Sequence, residues 1–275
     1  MSDIKLIALD LDKTLLNSEG KLSETNRKAL ERAIEMGIIV APATGRAKST
    51  VSAEILDLGA RYLICGNGAL IFDLSSGEKL YEKLIPSEGI DQIEPLLADT
   101  SFMKEAFYDG SPYTDEIYYR DMAAFGVFDD FLEYYKATRK PVKNLAAFIE
   151  DRKDKIEVVN LIFADDERRM SIWNILEECS SIEVTTSLGF NLEIGACGMS
   201  KAGAMSALCG MLGIDPSHTL SCGDNDNDAS MLEFAGIGVA MANATPNAKA
   251  AADFVTKSND EDGVAFAIEK FVFNN

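Results

Sequence analysis

The chain has 275 residues, with 45 Asp and Glu against 26 Lys and Arg, a formal net charge of −19 and a single histidine. That balance argues against a nucleic-acid partner, which needs a concentrated basic surface, and against adhesion to anionic membrane. The solitary His218 excludes sites built on two or more histidines, most catalytic zinc sites among them, so the chemistry falls to carboxylates.

Met1 to Asp3 is a short polar start, without the basic region and long apolar stretch of a signal peptide. It runs into Ile4–Leu9, a mostly apolar segment of strand length, followed by Asp10-Leu-Asp-Lys-Thr-Leu-Leu16. From Glu24 to Met36 the residues Ala29, Leu30, Ala33 and Ile34 recur at helical spacing behind Ser23, and Gly37 closes the helix. Ile38–Ala43 reads as the next strand, residues 49–58 as a helix, and Tyr62–Cys65 as a third strand. This βαβαβ order predicts parallel strands with right-handed crossovers. Ala69–Phe72 and Lys79–Tyr81 then form a small hairpin.

The texture changes between about Leu84 and Leu188. Aromatics become dense, short strands such as residues 157–164 alternate with helices such as residues 168–179, and the Gly- and Asp-rich turns of the flanks disappear. This stretch, residues 85–188, is predicted to be an inserted α+β domain with its own core. After Gly198 the first texture returns. Helices are predicted at Lys201–Leu212, Asp226–Phe234, Asn247–Ala250 and Asp262–Phe271, with strands at Thr219–Cys222, Gly236–Met241 and Phe254–Val255. Residues 1–84 and 189–275 together make a discontinuous α/β unit, a Rossmann-like parallel sheet with helices on both faces. No run of roughly 18 apolar residues suggests a membrane span. Cys65, Cys179, Cys197, Cys209 and Cys222 are odd in number and widely spaced, which reads as thiols in a reducing cytoplasm and not as a disulfide framework.

Asp10-x-Asp12-x-Thr14 stands at the carboxyl end of a buried strand, where open α/β sheets place their ligands. Two carboxylates so close are costly together unless they share a cation or a proton, and hard oxygen ligands suit Mg²⁺. A turn in which the Asp side chains cap backbone amides explains the same residues, and both readings stand. Ser221-Cys-Gly-Asp-Asn-Asp-Asn-Asp228 is a second acidic cluster directly after a strand. As a calcium loop it fails, with Ala229 where Gly is needed and Ala235 where Glu is needed. Asp224, nearest the strand end, is the best metal ligand; Asp228, about one helical turn on, would bind directly or through water; Asp226 points elsewhere, as a cap or surface group. Thr44-Gly45-Arg46 follows the second strand, and a tight turn at Gly45 would expose the Thr44 hydroxyl and nearby amides to a phosphate oxygen. Lys201 opens a helix, which the dipole disfavours; a bound anion would offset the conflict, and a solvated surface lysine is the alternative. Gly66-Asn-Gly68 lacks the third glycine of a dinucleotide fingerprint and reads as a turn, and His218 reads as a loop residue.

Taken as an ordered set, these segments resemble the haloacid dehalogenase superfamily of phosphohydrolases, in its Cof-type branch. Asp10–Leu16 is similar to the first motif, Ala43–Arg46 to the second, Lys201 to the third and Gly223–Asp228 to the fourth. Asn67-Gly-Ala69, Gly238–Ala244 and Asp262-Gly-Val-Ala265 are similar to the branch as well. The resemblance implies that Asp10 is a nucleophile forming an aspartyl-phosphate and that Asp12 is the general acid and then the base. It implies that Thr44, Gly45, Lys201 and Asn227 hold or orient the phosphoryl group. Mg²⁺ would be held by Asp10, the backbone carbonyl of Asp12, Asp224 and, from nearby, Asp228. The third motif departs from the pattern, with Ala202 where glycine commonly follows the lysine, and Gly195-Ala-Cys-Gly198 stands where a proline-containing loop is usual.

By the same resemblance residues 85–188 are a cap that excludes water and selects substrate, with hinges near Leu84 and Leu188. Tyr118-Tyr119 and Tyr134-Tyr135 place neighbours on different faces, so most of the cap's aromatics are expected in its core and not in a sugar-stacking platform. The implied activity is Mg²⁺-dependent hydrolysis of a small phosphorylated metabolite, a sugar phosphate foremost, with no obligate protein partner. A phosphosugar mutase using the same intermediate is the nearest alternative, and a non-catalytic metabolite-binding regulator a more distant one.

Overall fold

The computed structural model describes residues 3–273; the polar start at Met1 and Ser2 lies outside them. The chain forms two compact units. The first holds the chain up to Arg46, Val51–Tyr81, and everything from Ser200 on; the second holds Ala47–Thr50 and Glu82–Met199. In chain order the strands are β1 (Leu6–Leu9), β2 (Ile39–Pro42), β3 (Tyr62–Cys65), β4 (Leu70–Asp73) and β5 (Lys79–Glu82). β6 (Met103–Tyr108), β7 (Ser111–Asp115), β8 (Lys140–Val142), β9 (Val158–Ile162), β10 (Ile182–Thr185) and β11 (Asn191–Ala196) follow. β12 (Thr219–Gly223), β13 (Ile237–Ala240) and β14 (Phe254–Val255) complete the set.

The first unit is a five-stranded parallel sheet in the order β14-β13-β12-β1-β2. Parallel strands covered on both faces read as continuous apolar runs, and β1, Leu-Ile-Ala-Leu, is buried along its whole length. Leu6 and Ala8 face the helices Lys201–Leu212 and Asp226–Phe234, packing with Met205, Leu208 and Met231. Ile7 and Leu9 alternate to the other face, on the side of Glu24–Glu35 and Gly263–Ile268. Leu9 stands beside Cys222 and Pro42, so the carboxyl ends of β1, β2 and β12 lie in line. Everything functional follows from that edge.

The sequence predicts β3 as a third parallel strand; it instead pairs antiparallel with β4 in a separate sheet, β3-β4-β5. It still meets the parallel sheet through the parallel bridge Ala43–Ile64, with Thr44 N donating to Ile64 O at 2.9 Å and Arg61 N to Val40 O at 3.2 Å. The turn Gly66-Asn67-Gly68, all three at positive φ, folds β4 straight back on β3 and gives it this antiparallel partner. The predicted helix 49–58 is only a 3₁₀ turn at Lys48–Thr50 and one α-turn at Ala53–Leu56. Ser49 N donates to Gly110 O at 2.9 Å, which draws residues 47–50 into the second unit and breaks the segment.

The second unit is a mixed six-stranded sheet, β10-β11-β9-β6-β7-β8. Helices Ser87–Ala98, Leu145–Glu150 and Asp166–Leu176 cover one face through Ile90, Ile93, Ile149 and Ile172. Tyr118 and Tyr135 are buried with Met103 and Ile162 on the other, so those aromatics are core. The boundary expected at residue 189 is displaced. β11 pairs antiparallel with β9 and β10, and Asn191 Oδ1 accepts from the Leu188 amide at 2.9 Å. Leu188 therefore lies inside this unit and is no crossing; apart from the short excursion at Ala47–Thr50, the chain passes between units at residues 81–82 and 199–200.

Candidate active site

Asp10 leaves β1 with only 6% of its surface exposed, and its amide donates to Cys222 O of β12 at 3.0 Å. The backbone then turns tightly, with Lys13 in the left-handed region at φ 60°. That turn buries Thr14, whose hydroxyl donates to Asp224 Oδ1 at 2.9 Å, joining the two acidic clusters across 210 residues of sequence.

Asp224 follows β12 and Asp228 sits in the first turn of the next helix. Asp228 Oδ2 accepts from the amides of Asp224 and Asn225 at 2.9 and 3.0 Å, an N-terminal capping arrangement. Gly223 is required there, because a Cβ would stand 2.5 Å from Asp228 Cβ. The carboxylates of Asp10, Asp224 and Asp228 are all buried, with ligand oxygens within 4.8 Å of one another. Asp226 turns away and accepts from Thr245 Oγ1 at 2.6 Å, a surface contact as its spacing predicts.

Lys201 resolves its own conflict with the helix dipole. Ser200 caps the helix by accepting from Gly203 N at 3.0 Å, and Lys201 points inward with 1% of its surface exposed. Its Nζ donates to Asp10 Oδ1 at 2.6 Å and Asp228 Oδ1 at 2.5 Å, so carboxylates supply the negative charge that the helix start favours. The surface-lysine alternative is excluded. Gly68 permits this seat: it has φ 98°, and a Cβ there would meet the Ser200 carbonyl oxygen at 2.2 Å.

Burial pushes the Asp10 carboxyl well above its ordinary range, Lys201 pulls it down, and the charges of Asp228, Asp224 and Asp12 push it further up. Burial, then the Asp228 charge, lifts Asp224 to about 6 against the Thr14 hydrogen bond and Lys201. Burial opposes the charge on Lys201, but Asp10 and Asp228 hold its ammonium above the usual lysine range. Three buried carboxylates against one ammonium leave a surplus of two negative charges. A hard divalent cation removes that surplus, and an all-oxygen donor set suits it. The residues fit such an ion.

Asp12 differs. Its carboxylate is half exposed, lies outside this cluster, and is gripped by Arg46: Nε donates to Oδ2 at 2.8 Å and Nη2 to Oδ1 at 2.6 Å. Only its backbone is left for the metal role the resemblance implies. Thr44, 1% exposed, accepts the Arg46 amide on Oγ1 at 3.1 Å, leaving the hydroxyl proton to be donated. A Cβ on Gly45 would touch Asn67 Oδ1 at 3.0 Å, and that oxygen accepts from Asn227 Nδ2 at 3.0 Å. Asn67 N also donates to Thr44 O at 3.0 Å, so Asn67 ties Thr44 to Asn227 while packing close against Gly45.

Arg46 and Asn67 are the participants the sequence reading leaves unassigned. Arg46 stands inside a motif read for its threonine. Asn67 hides in a turn: the segment Asn67-Gly-Ala69 is similar to the branch but carries no role there, and in the structure its φ of 55° sets it apart, since few non-glycine residues hold that conformation. His218 lies at the end of a 3₁₀ turn, away from all of this, as a loop residue.

Comparison with known proteins shows the family to which this fold and sequence belong. Residues 7–268 match the family described as haloacid dehalogenase-like hydrolase. The chain is 32% identical to the 5-amino-6-(5-phospho-D-ribitylamino)uracil phosphatase YcsE of Bacillus subtilis, over 98% of this chain and 96% of that protein. It is likewise 32% identical to the B. subtilis phosphatase YwpJ, over 95% of this chain and 98% of that one. Among solved structures, a haloacid dehalogenase-like hydrolase from B. subtilis superposes with a TM-score of 0.85 at 30% identity, covering 98% and 100% of the two chains. The subclass IIB sugar phosphatase BT4131 superposes with a TM-score of 0.79 at 25% identity, covering 97% and 98%.

Proposed function

Because the chain belongs to the haloacid dehalogenase-like hydrolases and is a phosphatase with an inserted cap domain, we propose that it hydrolyses a small phosphorylated metabolite, a sugar phosphate by class, through an aspartyl-phosphate on Asp10. The observation that carries the reading is the buried Asp10–Lys201–Asp228 contact beside Asp224. A carboxylate so enclosed is held in one place, close to cationic charge, and shielded from water, as a nucleophile for an anionic phosphate must be. The two relatives with sugar-derived or polyol-bearing substrates in their names support the substrate class.

In this reading Asp10 attacks phosphorus while Lys201 and the Thr44 hydroxyl hold phosphoryl oxygens, and Asn67 fixes the side chain of Asn227 against the same group. Asp12 gives a proton to the leaving oxygen, then takes one from the water that opens the aspartyl-phosphate. Asp10, Asp224 and the Asp12 carbonyl would hold Mg²⁺, with Asp228 anchoring Lys201 beside them. Bound there, Mg²⁺ supplies the charge neutralisation that lets a carboxylate approach a phosphate dianion. Substrate choice belongs to the cap, and a cytoplasmic setting is part of the same reading. Among the described residues no helix is long and apolar enough to cross a membrane.

The test is a Mg²⁺-dependent phosphate-release screen over sugar phosphates, nucleotides, and flavin and pyridoxal phosphates. Wild type should be active on members of the first class and Asp10→Asn silent on all. Phosphate-free conversion of one sugar phosphate into an isomer would replace this reading with a mutase.

A further inference from the structure

We propose that Arg46 is a positioning residue for Asp12 and reads the leaving group: without substrate it parks both Asp12 oxygens, and a leaving-group hydroxyl takes the guanidinium and sets the carboxylate free. The inference rests on the phosphatase reading above, in which Asp12 handles the proton of the leaving-group oxygen.

Three observations carry it. First, the pair is a fork: Nε and Nη2 of one planar guanidinium each take a different oxygen of Asp12, at 2.8 and 2.6 Å. While it holds, one lone pair on each oxygen is filled by an N–H donor, and the carboxylate is oriented toward the guanidinium instead of toward a leaving-group oxygen. Opening the fork frees the carboxylate to turn to that oxygen.

Second, the pair is built to open. The side chains of Arg46 and Asp12 are 20% and 51% exposed, whereas Lys201 and Asp228 are both fully enclosed. Ion pairs open to water contribute little, because solvent competes for both partners. The Arg46 backbone meanwhile stays fixed, its amide donating to Thr44 Oγ1 at 3.1 Å and its carbonyl accepting from Gly66 N at 3.0 Å. The guanidinium can swing without disturbing the threonine that faces the phosphoryl group.

Third, the division of the site says which part of the substrate Arg46 meets. Thr44 and Lys201 address the phosphoryl group beside Asp10, while Asp12 addresses the oxygen that departs. A cation held on Asp12 therefore stands on the leaving-group side. Its exchange partner must be an oxygen acceptor there, and adjacent hydroxyls of a polyol match the paired donors of the guanidinium.

The test compares wild type, Arg46→Ala and Arg46→Lys on p-nitrophenyl phosphate and on glucose 6-phosphate, ribose 5-phosphate and glycerol 1-phosphate. For Arg46→Ala, kcat/KM on the best polyol phosphate should fall about tenfold or more, and the rate on p-nitrophenyl phosphate should rise about threefold, because Asp12 is no longer parked and that leaving group has no hydroxyl to release it. Arg46→Lys keeps the charge but not the fork and should show the same inversion at smaller size. A merely structural role moves both substrates the same way. A parallel fall on both, an unchanged polyol rate, or a wild type active on p-nitrophenyl phosphate but on none of the polyol phosphates would overturn the inference and leave the phosphatase reading in place. If wild type releases phosphate from neither class, or Asp10→Asn matches wild type, the phosphatase reading fails and takes this inference with it.

Discussion

Lys201→Met isolates the contact on which the site depends. Methionine keeps most of the apolar stem and its volume, so the change chiefly removes an ammonium whose Nζ lies 2.6 Å from Asp10 and 2.5 Å from Asp228. Side chains on both sides are at most 9% exposed, so the two carboxylates lose their partner without gaining water. Breaking a buried pair in this way costs about 3–5 kcal/mol, a large part of the roughly 5–15 kcal/mol that holds a domain folded. At about 2–4 °C per kcal/mol, the melting of the first unit should move down by roughly 10 °C in metal-free buffer.

The loss should shrink when millimolar Mg²⁺ is added, because a cation among Asp10, Asp224 and Asp228 replaces the missing positive charge and binds only the folded chain. Calorimetry with and without Mg²⁺, beside wild type, reads both effects. A metal-free shift under about 1 kcal/mol would refute the reasoning, since it would mean that the carboxylates do not depend on Lys201. Added Mg²⁺ that raised wild type and variant equally would refute the charge-replacement half.

Three further outcomes are expected. Gly68→Ala combines a φ of 98° with a Cβ 2.2 Å from the Ser200 carbonyl oxygen; it should cost about 1–3 kcal/mol and lower kcat by displacing Lys201, read by chemical denaturation and phosphate release. Lys104, in the second unit, is buried with its Nζ donating to Tyr118 Oη at 2.7 Å, and burial brings its ammonium down to about 8. Its folded value is below the unfolded one, so the folded state holds fewer protons on Lys104 between about pH 8 and 10.5, and the Lys104 contribution to stability should rise with pH across that window; the stability difference between wild type and Lys104→Met should carry that rise, and a difference independent of pH would contradict the assignment. Chelation should stop phosphate release and added Mg²⁺ restore it, whereas full activity after exhaustive chelation would exclude the three-carboxylate site as a metal centre.

The parts of this molecule legible in its sequence are those whose causes are local. Leu6–Leu9 and Thr219–Gly223 read as buried parallel strands because both faces are covered, and the aspartates that follow them fall at the sheet's carboxyl edge by chain order alone. Lys201 was half legible: its conflict with the helix dipole pointed to a bound anion or to a solvated surface lysine, and the structure decides for the first by supplying Asp10 and Asp228. What stayed hidden depends on distant partners. Asn191–Ala196 belongs to the second unit because it pairs with Val158–Ile162, and no feature of its own six residues says so. Residues 49–58 fail as a helix because Ser49 bonds to Gly110, and Tyr62–Cys65 takes an antiparallel partner because Gly66-Asn67-Gly68 turns the chain back on it. Arg46 escaped assignment since its partner is 34 residues away on another strand's end.

The central claim is a covalent intermediate on Asp10, and rapid acid quench during turnover of a radiolabelled phosphate ester tests it most directly. The account predicts protein-bound phosphate that is released by hydroxylamine, maps to the peptide carrying Asp10, and is absent in Asp10→Asn. Turnover that leaves Asp10 unlabelled at every quench time while another residue carries the phosphate would contradict it.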